Sequence, residues 1–296
     1  MIEFFGKTQI DFVGKRMLFF GLSGLGVLLG IAALIQIARG SGNIGIDFTG
    51  GAAIEIKFDL PVKIDAARAT LETAGLSGAD LQEIVGANRL LVRFKKGGGT
   101  HVGAQVQEAF TKAFPDHKFV IESSTEIGPT VGKKLRKDAV VAVFLSMIGI
   151  VAYIAFRFEF RFGVAAAIAT FHDILVIFGI LFFAQKEITL LLVTALLTLA
   201  GYSLSDTVVV FDRIRENLRF RKKEGLDQII NKSINDVLTR TFNTSVTAFL
   251  AVLSLFLLGG EVIHDFALAM LLGIVIGTYS SWYIASPLLL LWRKEN

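Results

Sequence analysis

Few residues in this sequence could do chemistry, and the first to need a reason is Asp206. It lies inside the apolar run Ile188 to Phe211, which is long enough to cross a bilayer and leads into the charged cluster Asp212, Arg213, Arg215 and Glu216. A carboxylate at the centre of a spanning helix costs about 3 kcal/mol on insertion scales, so it marks a functional site by default and calls for a partner. Thr194, Thr198, Tyr202 and Asp206 recur every fourth residue and share one helical face. The next apolar run, Thr241 to Leu258, is preceded by Arg240, and Arg240, Asn243, Thr244 and Thr247 again fall on one face. In the run Val164 to Phe183, His172 and Asp173 stand about nine residues from the end, close to mid-bilayer at a rise of about 1.5 Å per residue.

The chemistry open to such residues is proton exchange. A carboxylate inside a bilayer can take up and release a proton near neutral pH, and Arg240, always charged, is the partner that could hold Asp206 ionised in one conformation and release it in another. One proton crossing about 100 mV releases about 2.3 kcal/mol, enough to drive a conformational cycle. The hydroxyl stripes have a second reading, because Ser and Thr in membrane helices also bond their own backbone or a neighbouring helix. His172 and Asp173 read equally as a local structural pair or as a relay.

Other chemistries find less support. The chain has no cysteine, so thiolate metal sites, disulfides and Cys nucleophiles are excluded for it. Gly128-Pro129-Thr130-Val131-Gly132-Lys133-Lys134 is one residue short of a phosphate loop and has no Ser or Thr after the lysine, which argues against direct ATP hydrolysis. Asp173 and Asp206 stand in H-D and S-L-S-D settings, not the Y-D and G-x-G-D settings of intramembrane aspartyl proteases. No metal site, no cofactor, no enzyme activity and no nucleic-acid partner are expected.

The elements that must position these residues are membrane helices. With 53% hydrophobic and 19% charged residues among 296, the composition is that of an integral membrane protein. Six spans are expected, at Met17 to Ile37, Leu135 to Phe156, Val164 to Phe183, Ile188 to Phe211, Thr241 to Leu258 and Phe266 to Leu291. Small residues at steps of four, Gly26 and Gly30 in the first span and Gly273, Gly277, Ser281 and Ala285 in the sixth, suit close helix packing. The segment Arg157 to Arg161 is basic and Arg213 to Arg240 holds eight Lys or Arg, so the positive-inside rule puts both termini in the cytoplasm. Within that segment Arg213 to Asn235 reads as an amphipathic helix along the membrane surface, or as a solvated connector.

Residues 38–134 then form an extracytoplasmic α+β domain between the first two spans. Strands at Ala52 to Phe58, Leu81 to Val85, Leu90 to Phe94 and His117 to Ile127, with helices at Lys63 to Ala74 and Val102 to Phe114, give the β-α-β-β-α-β order of a ferredoxin-like fold. A hairpin turn is expected at Gly86-Ala87-Asn88 and a glycine run at Gly97 to Gly99 leads into the second helix. The remaining divisions are a cytoplasmic segment 1–16, which begins amphipathically with Lys7, Lys15 and Arg16, transmembrane helices 2–6 over 135–291 with the cytoplasmic part 213–240, and a tail 292–296. Asp47-Phe48-Thr49-Gly50-Gly51 reads locally as a turn and a glycine pair opening the first strand.

The stretch G-Y-S-L-S-D-T-V-V-V-F-D-R-I-R-E-N from Gly201 to Asn217 closely resembles the SecF family of protein-export membrane subunits, a SecD/SecF branch of the RND superfamily. The likeness extends to Asp47 through Gly51, His172-Asp173, Arg240-Thr241 with Asn243-Thr244-Ser245, and Gly259-Gly260, essentially the whole length. The resemblance implies an RND-type bundle of six helices in the cytoplasmic membrane that works with SecD and the proton motive force to move preproteins. It implies as partners SecD, the SecYEG translocon, a YajC-like accessory subunit, unfolded preprotein at the outer face, and membrane lipids. By position, Asp206 becomes the proton-responsive carboxylate and Arg240 its switching partner, while His172, Asp173, Tyr202, Thr198, Asn243 and Thr247 stand as relay or supporting residues. Asp47, Gly50 and Gly51 become a hinge. Ser205 departs from the asparagine associated with the position before that aspartate. Two other readings remain, a half-unit of an RND-type exporter of lipids or small molecules and a non-coupling scaffold of the translocon.

Overall fold

A computed structural model of the chain describes residues 8–84, 88–95, 101–115, 117–220 and 224–292. Lys7, the turn residues Val85, Gly86 and Ala87, the run Gly97 to Gly99, and the tail beyond Trp292 lie outside the described residues. In chain order the elements are α1 (Arg16–Ala38), α2 (Ile46–Thr49), β1 (Gly51–Phe58), α3 (Ile64–Thr73), β2 (Ala79–Ile84), β3 (Arg89–Lys95), α4 (Val102–Ala113), β4 (Phe119–Ile127), α5 (Pro129–Arg157), α6 (Phe160–Phe183), α7 (Leu190–Phe220), α8 (Leu226–Leu258) and α9 (Glu261–Ser280). A π-helical turn Ser281–Ala285, α10 (Ser286–Leu288) and a 3-10 turn Leu289–Trp292 follow. Backbone contacts group Ile44–Val141 as one unit and Met1–Asn43 with Ala142–Asn296 as the other.

In the first unit the strands form one antiparallel sheet in the order β2-β3-β1-β4. Alternation decides which face is buried: Ala52, Ile54, Ile56 and Phe58 of β1 point into the core with Leu90, Val92 and Phe94 of β3. Ala67 and Leu71 of α3 and Val102, Val106 and Phe110 of α4, at helical spacing, cover that face. The start of α4 is closed from outside the helix. His101 at the N-cap is left-handed and offers no side-chain cap, and Glu126 of β4 instead accepts from the amides of His101 (3.1 Å) and Gly103 (3.0 Å). Gly50 and Gly51 (φ +74° and +138°) let the chain turn from α2 into β1, where a Cβ on Gly51 would collide with the Phe94 carbonyl oxygen. The first turn of α5 packs on that turn through Gly132, beside the Gly50 amide.

In the second unit, six helical stretches, the last being Val262–Leu291, are long and apolar enough to cross a membrane, counting α5, which runs in from the first unit. The chain is a multi-pass membrane protein. α6 is the centre of the bundle, with 61% of its apolar window buried, whereas the corresponding share of α5 is 6%. α1 lies against α6 where the backbones of Gly30 and Gly179 touch, leaving no room for a Cβ on either. Gly273 and Gly277 of α9 likewise lie against Leu199 and Ser203 of α7.

Three expectations are corrected. Arg213 to Asn235 is not one amphipathic helix: α7 continues to Phe220, and α8 starts afresh at Leu226 after Gly225 and runs unbroken into its span. The cause is that Ile214 and Asn217 remain on the buried face of α7 while Ile229, Ile230, Ile234 and Leu238 form a buried face on α8. The two faces are tied by Arg213 to Asp236 (2.7 Å) and Asn217 to Ser233 (2.9 Å). The described part of the expected amphipathic beginning, residues 8–15, is a strap, since Ile10 exchanges two 2.9 Å hydrogen bonds with the Asn235 side chain and Phe12, 2% exposed, packs on Trp282 and Tyr283. The sixth span is not a regular α-helix, because Pro287 has no amide hydrogen to continue the ladder and the π turn with a Ser286 hydroxyl bond to the Ser281 carbonyl (2.8 Å) takes up the change.

The Glu126 cap has a pH signature. The Gly103 amide above all holds its carboxyl below the usual glutamate range, with burial opposing. Its contribution is therefore present above the unfolded value of about 4.3 and is lost as pH falls through the lower folded value. The side chain is largely exposed, so screening limits the effect to about 0.5 kcal/mol. Thermal unfolding of the wild type and Glu126→Gln should differ by that amount at neutral pH and converge as pH falls through that lower folded value.

Candidate functional site

The bundle has a polar layer between two apolar clusters. Towards one end lie Phe162, Ala165 and Ala169 of α6, Val210 and Phe211 of α7, and Ala285 and Leu289 after α9. Towards the other lie Ile177 and Leu181 of α6, Leu192, Leu196 and Leu199 of α7, and Ala269 of α9. Between them each helix turns its polar residues inward: His172 and Asp173, Ser203, Asp206 and Thr207, Ser245, and Thr278, Ser280 and Ser281 are all buried. A polar group in a span must find its partner inside the protein.

Asp173, 2% exposed, is held by three side chains. Ser203 donates to Oδ2 at 2.5 Å, Ser280 to the same oxygen at 2.8 Å, and His172 Nδ1 lies 2.8 Å from Oδ1. Asp206, 6% exposed, is held by α8. Ser245 Oγ stands 3.1 Å from Oδ2 and Thr244 Oγ1 3.4 Å from Oδ1. Each hydroxyl has one proton, and both have a closer backbone acceptor, the Thr241 carbonyl at 2.8 Å. Thr278 of α9 donates to Ser245 Oγ at 2.7 Å and extends this network across a third helix. Thr207 and Ser281 join α7 to the π turn at 2.9 Å, and Trp282 Nε1 donates to Thr241 Oγ1 at 3.2 Å.

The structure separates the expected residues into three groups. His172 and Asp173 are one bonded pair, and Asp206 joins α8 through Thr244 and Ser245. Arg240 is exposed and makes no ion pair with Asp206 among the described residues. Thr198 and Thr247 are exposed and donate to the carbonyls of Thr194 and Asn243, the backbone-bonding alternative for the stripes. Asn243 is exposed, and the Tyr202 hydroxyl is buried beside Ser245 without a well-formed hydrogen bond among the described residues. Asp47, Gly50 and Gly51 belong to the α2–β1 turn in the other unit.

Sequence reasoning missed Ser203 and Ser280 as partners of Asp173 and Thr278 as a partner of Ser245, and saw only packing in Ser281. A signal existed: Ser203 stands three residues before Asp206, and all four residues after Gly277, from Thr278 to Ser281, carry hydroxyls.

Known proteins place this arrangement. Residues 105–295 match the family model described as Protein export membrane protein SecD/SecF, C-terminal. The chain belongs to the SecD/SecF family. Protein translocase subunit SecF of Thermodesulfovibrio yellowstonii is 47% identical over 300 residues, covering 100% of this chain and 99% of the relative. SecF of Endomicrobium trichonymphae is 41% identical, covering 100% and 95%. Among solved structures, SecDF of Thermus thermophilus, a translocon-associated membrane protein, superposes with a TM-score of 0.86 at 34% identity, over 96% of this chain. SecDF in a super-membrane-facing form gives 0.70 at 34% identity, over 98%. This SecD/SecF family chain spans 39% of each of those SecDF chains.

The hydroxyls differ in what their loss should do. Ser203→Ala removes a donor whose one proton goes to Asp173 and should lower the unfolding free energy of the purified protein by about 1–3 kcal/mol. Thr198→Val, which removes only an exposed backbone-bonded hydroxyl, should stay within about 0.5 kcal/mol. Thermal unfolding in one detergent compares the two.

Proposed function

We propose that the polar layer couples proton movement to the work of this chain as an accessory subunit of Sec protein export. The subunit assignment rests on full-length similarity to SecF proteins. The coupling reading rests on one observation above all: Asp206 is buried in a span with donors that each have a better backbone acceptor. Such a carboxyl can be satisfied in two ways, as an anion when a cation approaches, or as an acid that donates to Ser245. Arg240, one turn before Thr244 on the same helix, is the cation within reach of a modest helix or side-chain movement. Proton uptake and release at Asp206 would alternate these arrangements, with the proton motive force setting the direction.

SecD is the natural partner in the membrane. Ser205 on α7 and Arg240 and Asn243 on α8 are exposed in this chain alone, and lipid would leave such groups unsatisfied. Helices of SecD would cover them, and the SecDF chains hold more than twice the length matched here. We read the bundle as RND-type in the cytoplasmic membrane, with both termini in the cytoplasm on the positive-inside argument. The sheet unit is then periplasmic, and its strand order with two crossing helices supports a ferredoxin-like domain. The α2–β1 turn, with Asp47, Gly50 and Gly51 against the start of α5, would act as a joint that carries motion into that domain. SecYEG, a YajC-like subunit and unfolded preprotein complete the machinery in this reading.

Asp206→Asn should abolish gradient-stimulated preprotein translocation in inverted vesicles while SecD still copurifies, and Arg240→Met should do the same. Stimulation at the wild-type level in either variant would remove that residue from the mechanism.

A further inference from the structure

The second buried carboxylate carries an inference that deepens the proton-coupling reading and rests on it. Asp173 differs from Asp206 in the quality of its donors. The Ser203 hydroxyl makes no hydrogen bond except to Asp173 Oδ2, at 2.5 Å, and the Ser280 hydroxyl is closer to that oxygen, at 2.8 Å, than to the Gly277 carbonyl, at 3.1 Å. Oδ2 is therefore fully served as an acceptor, and the carboxylate form needs no proton of its own to be satisfied. Oδ1 faces His172 Nδ1 at 2.8 Å.

Which atom of that contact holds the hydrogen follows from the other end of the ring. His172 is 6% exposed, and its Nε2 is buried without a partner. If Asp173 donated to a bare Nδ1, the neutral imidazole would carry its hydrogen on Nε2, a buried donor with nothing to accept it. If Nδ1–H donates to Asp173, Nε2 is a bare lone pair and no donor is stranded. Nε2 lacks a partner in either arrangement, but the second strands a lone pair where the first strands an N–H, and it leaves a basic nitrogen open inside the bundle.

We propose that His172 is a second proton-binding position of the bundle, taking a proton on Nε2 while Asp173 holds Nδ1–H. The pair then passes from a net charge of −1 to a neutral imidazolium–carboxylate pair by gaining one proton, with no other bond made or broken. Protonation also turns Nε2 from an unpartnered acceptor into a charged donor that needs a partner. The protonated pair is stable only when water or another acceptor reaches Nε2, which links proton entry to a local opening around α6.

No other charged group is in position to do this in its place. On the elements packed against α6, the titratable residues described within the spans are Tyr202 and Asp206 on α7, His264, Asp265 and Tyr279 on α9 and Tyr283 in the π turn, with Arg16 at the start of α1. Asp206 is engaged with Thr244 and Ser245, Asp265 with Lys186 and His264, and Tyr279 with Ser23 and the Phe19 carbonyl. Arg16 donates to the Val13 carbonyl, and none of the seven forms a hydrogen bond to His172 among the described residues.

The chain has four histidines, so the imidazole nitrogens can be read directly. The full chain with SecD, labelled with ¹⁵N-histidine in lipid nanodiscs, would be titrated by NMR between about pH 5 and 8, the His172 signals being those missing from His172→Gln. The expected result at the alkaline end is a protonated Nδ1 and a bare Nε2, both becoming imidazolium-type on acidification. In Asp206→Asn the His172 titration should persist. An Nε2–H tautomer at the alkaline end, or a neutral ring throughout the range, would overturn the proposal. Loss of gradient-driven export in Asp206→Asn together with a silent His172 would leave the primary coupling reading standing and remove only this one.

Discussion

Everything in the membrane unit follows from the need to satisfy two carboxyl groups where there is no water. Hydrocarbon offers no hydrogen bonds, so Asp173 and Asp206 must find donors on neighbouring helices. Serine and threonine are short, and their hydroxyls reach a carboxylate on another helix only if the backbones approach closely. The small residues supply that approach. Gly277 lies against Ser203 and Gly273 against Leu199, so α9 is drawn onto α7 at the level where Thr278 and Ser280 are needed. Gly30 and Gly179 bring α1 onto α6 in the same way. The apolar clusters above and below the layer then close it from both ends.

The two carboxyls are served unequally, and in the proposed coupling that inequality is what would let the layer switch. Around Asp173 the nearest acceptor for each serine proton is the carboxylate. Around Asp206 both hydroxyls lie nearer to a backbone carbonyl of their own helix. A group whose neighbours are already committed is sensitive to small shifts, because a movement of a few tenths of an ångström decides which acceptor a single proton serves. α8 carries both these neighbours and Arg240, so a movement of that one helix changes all of Asp206's surroundings together. Its extension, tied to α7 through Arg213 with Asp236 and to the strap through Asn231 and Asn235, gives such a movement a handle outside the spans.

Much of this was legible in the sequence, and the rest was not for physical reasons. Apolar runs of about 20 residues identify spans because the bilayer thickness demands them. Alternation in β1 and helical spacing in α3 and α4 identify the sheet unit because each element has one buried face. Asp206 and the His172-Asp173 pair stand out because charge in a span is expensive. Their partners do not, since a serine that donates to a carboxylate and one that bonds its own backbone have the same identity and spacing. Ser203, Ser280 and Thr278 acquire their roles only when α6, α7, α8 and α9 are brought together. The continuation of α7 and α8 past the membrane was hidden by their charged outer faces, and the π turn before Pro287 by an apolar pattern that carries no record of hydrogen-bond register.

The central claim is that Asp206 exchanges a proton as its surroundings change. Infrared difference spectroscopy on the reconstituted complex with SecD, recorded across a pH jump, reads that exchange through the carbonyl stretch of a protonated carboxyl group. The account predicts a protonated-carboxyl band that appears on acidification and disappears in Asp206→Asn. A difference spectrum in which that variant leaves the carboxyl region unchanged would contradict it.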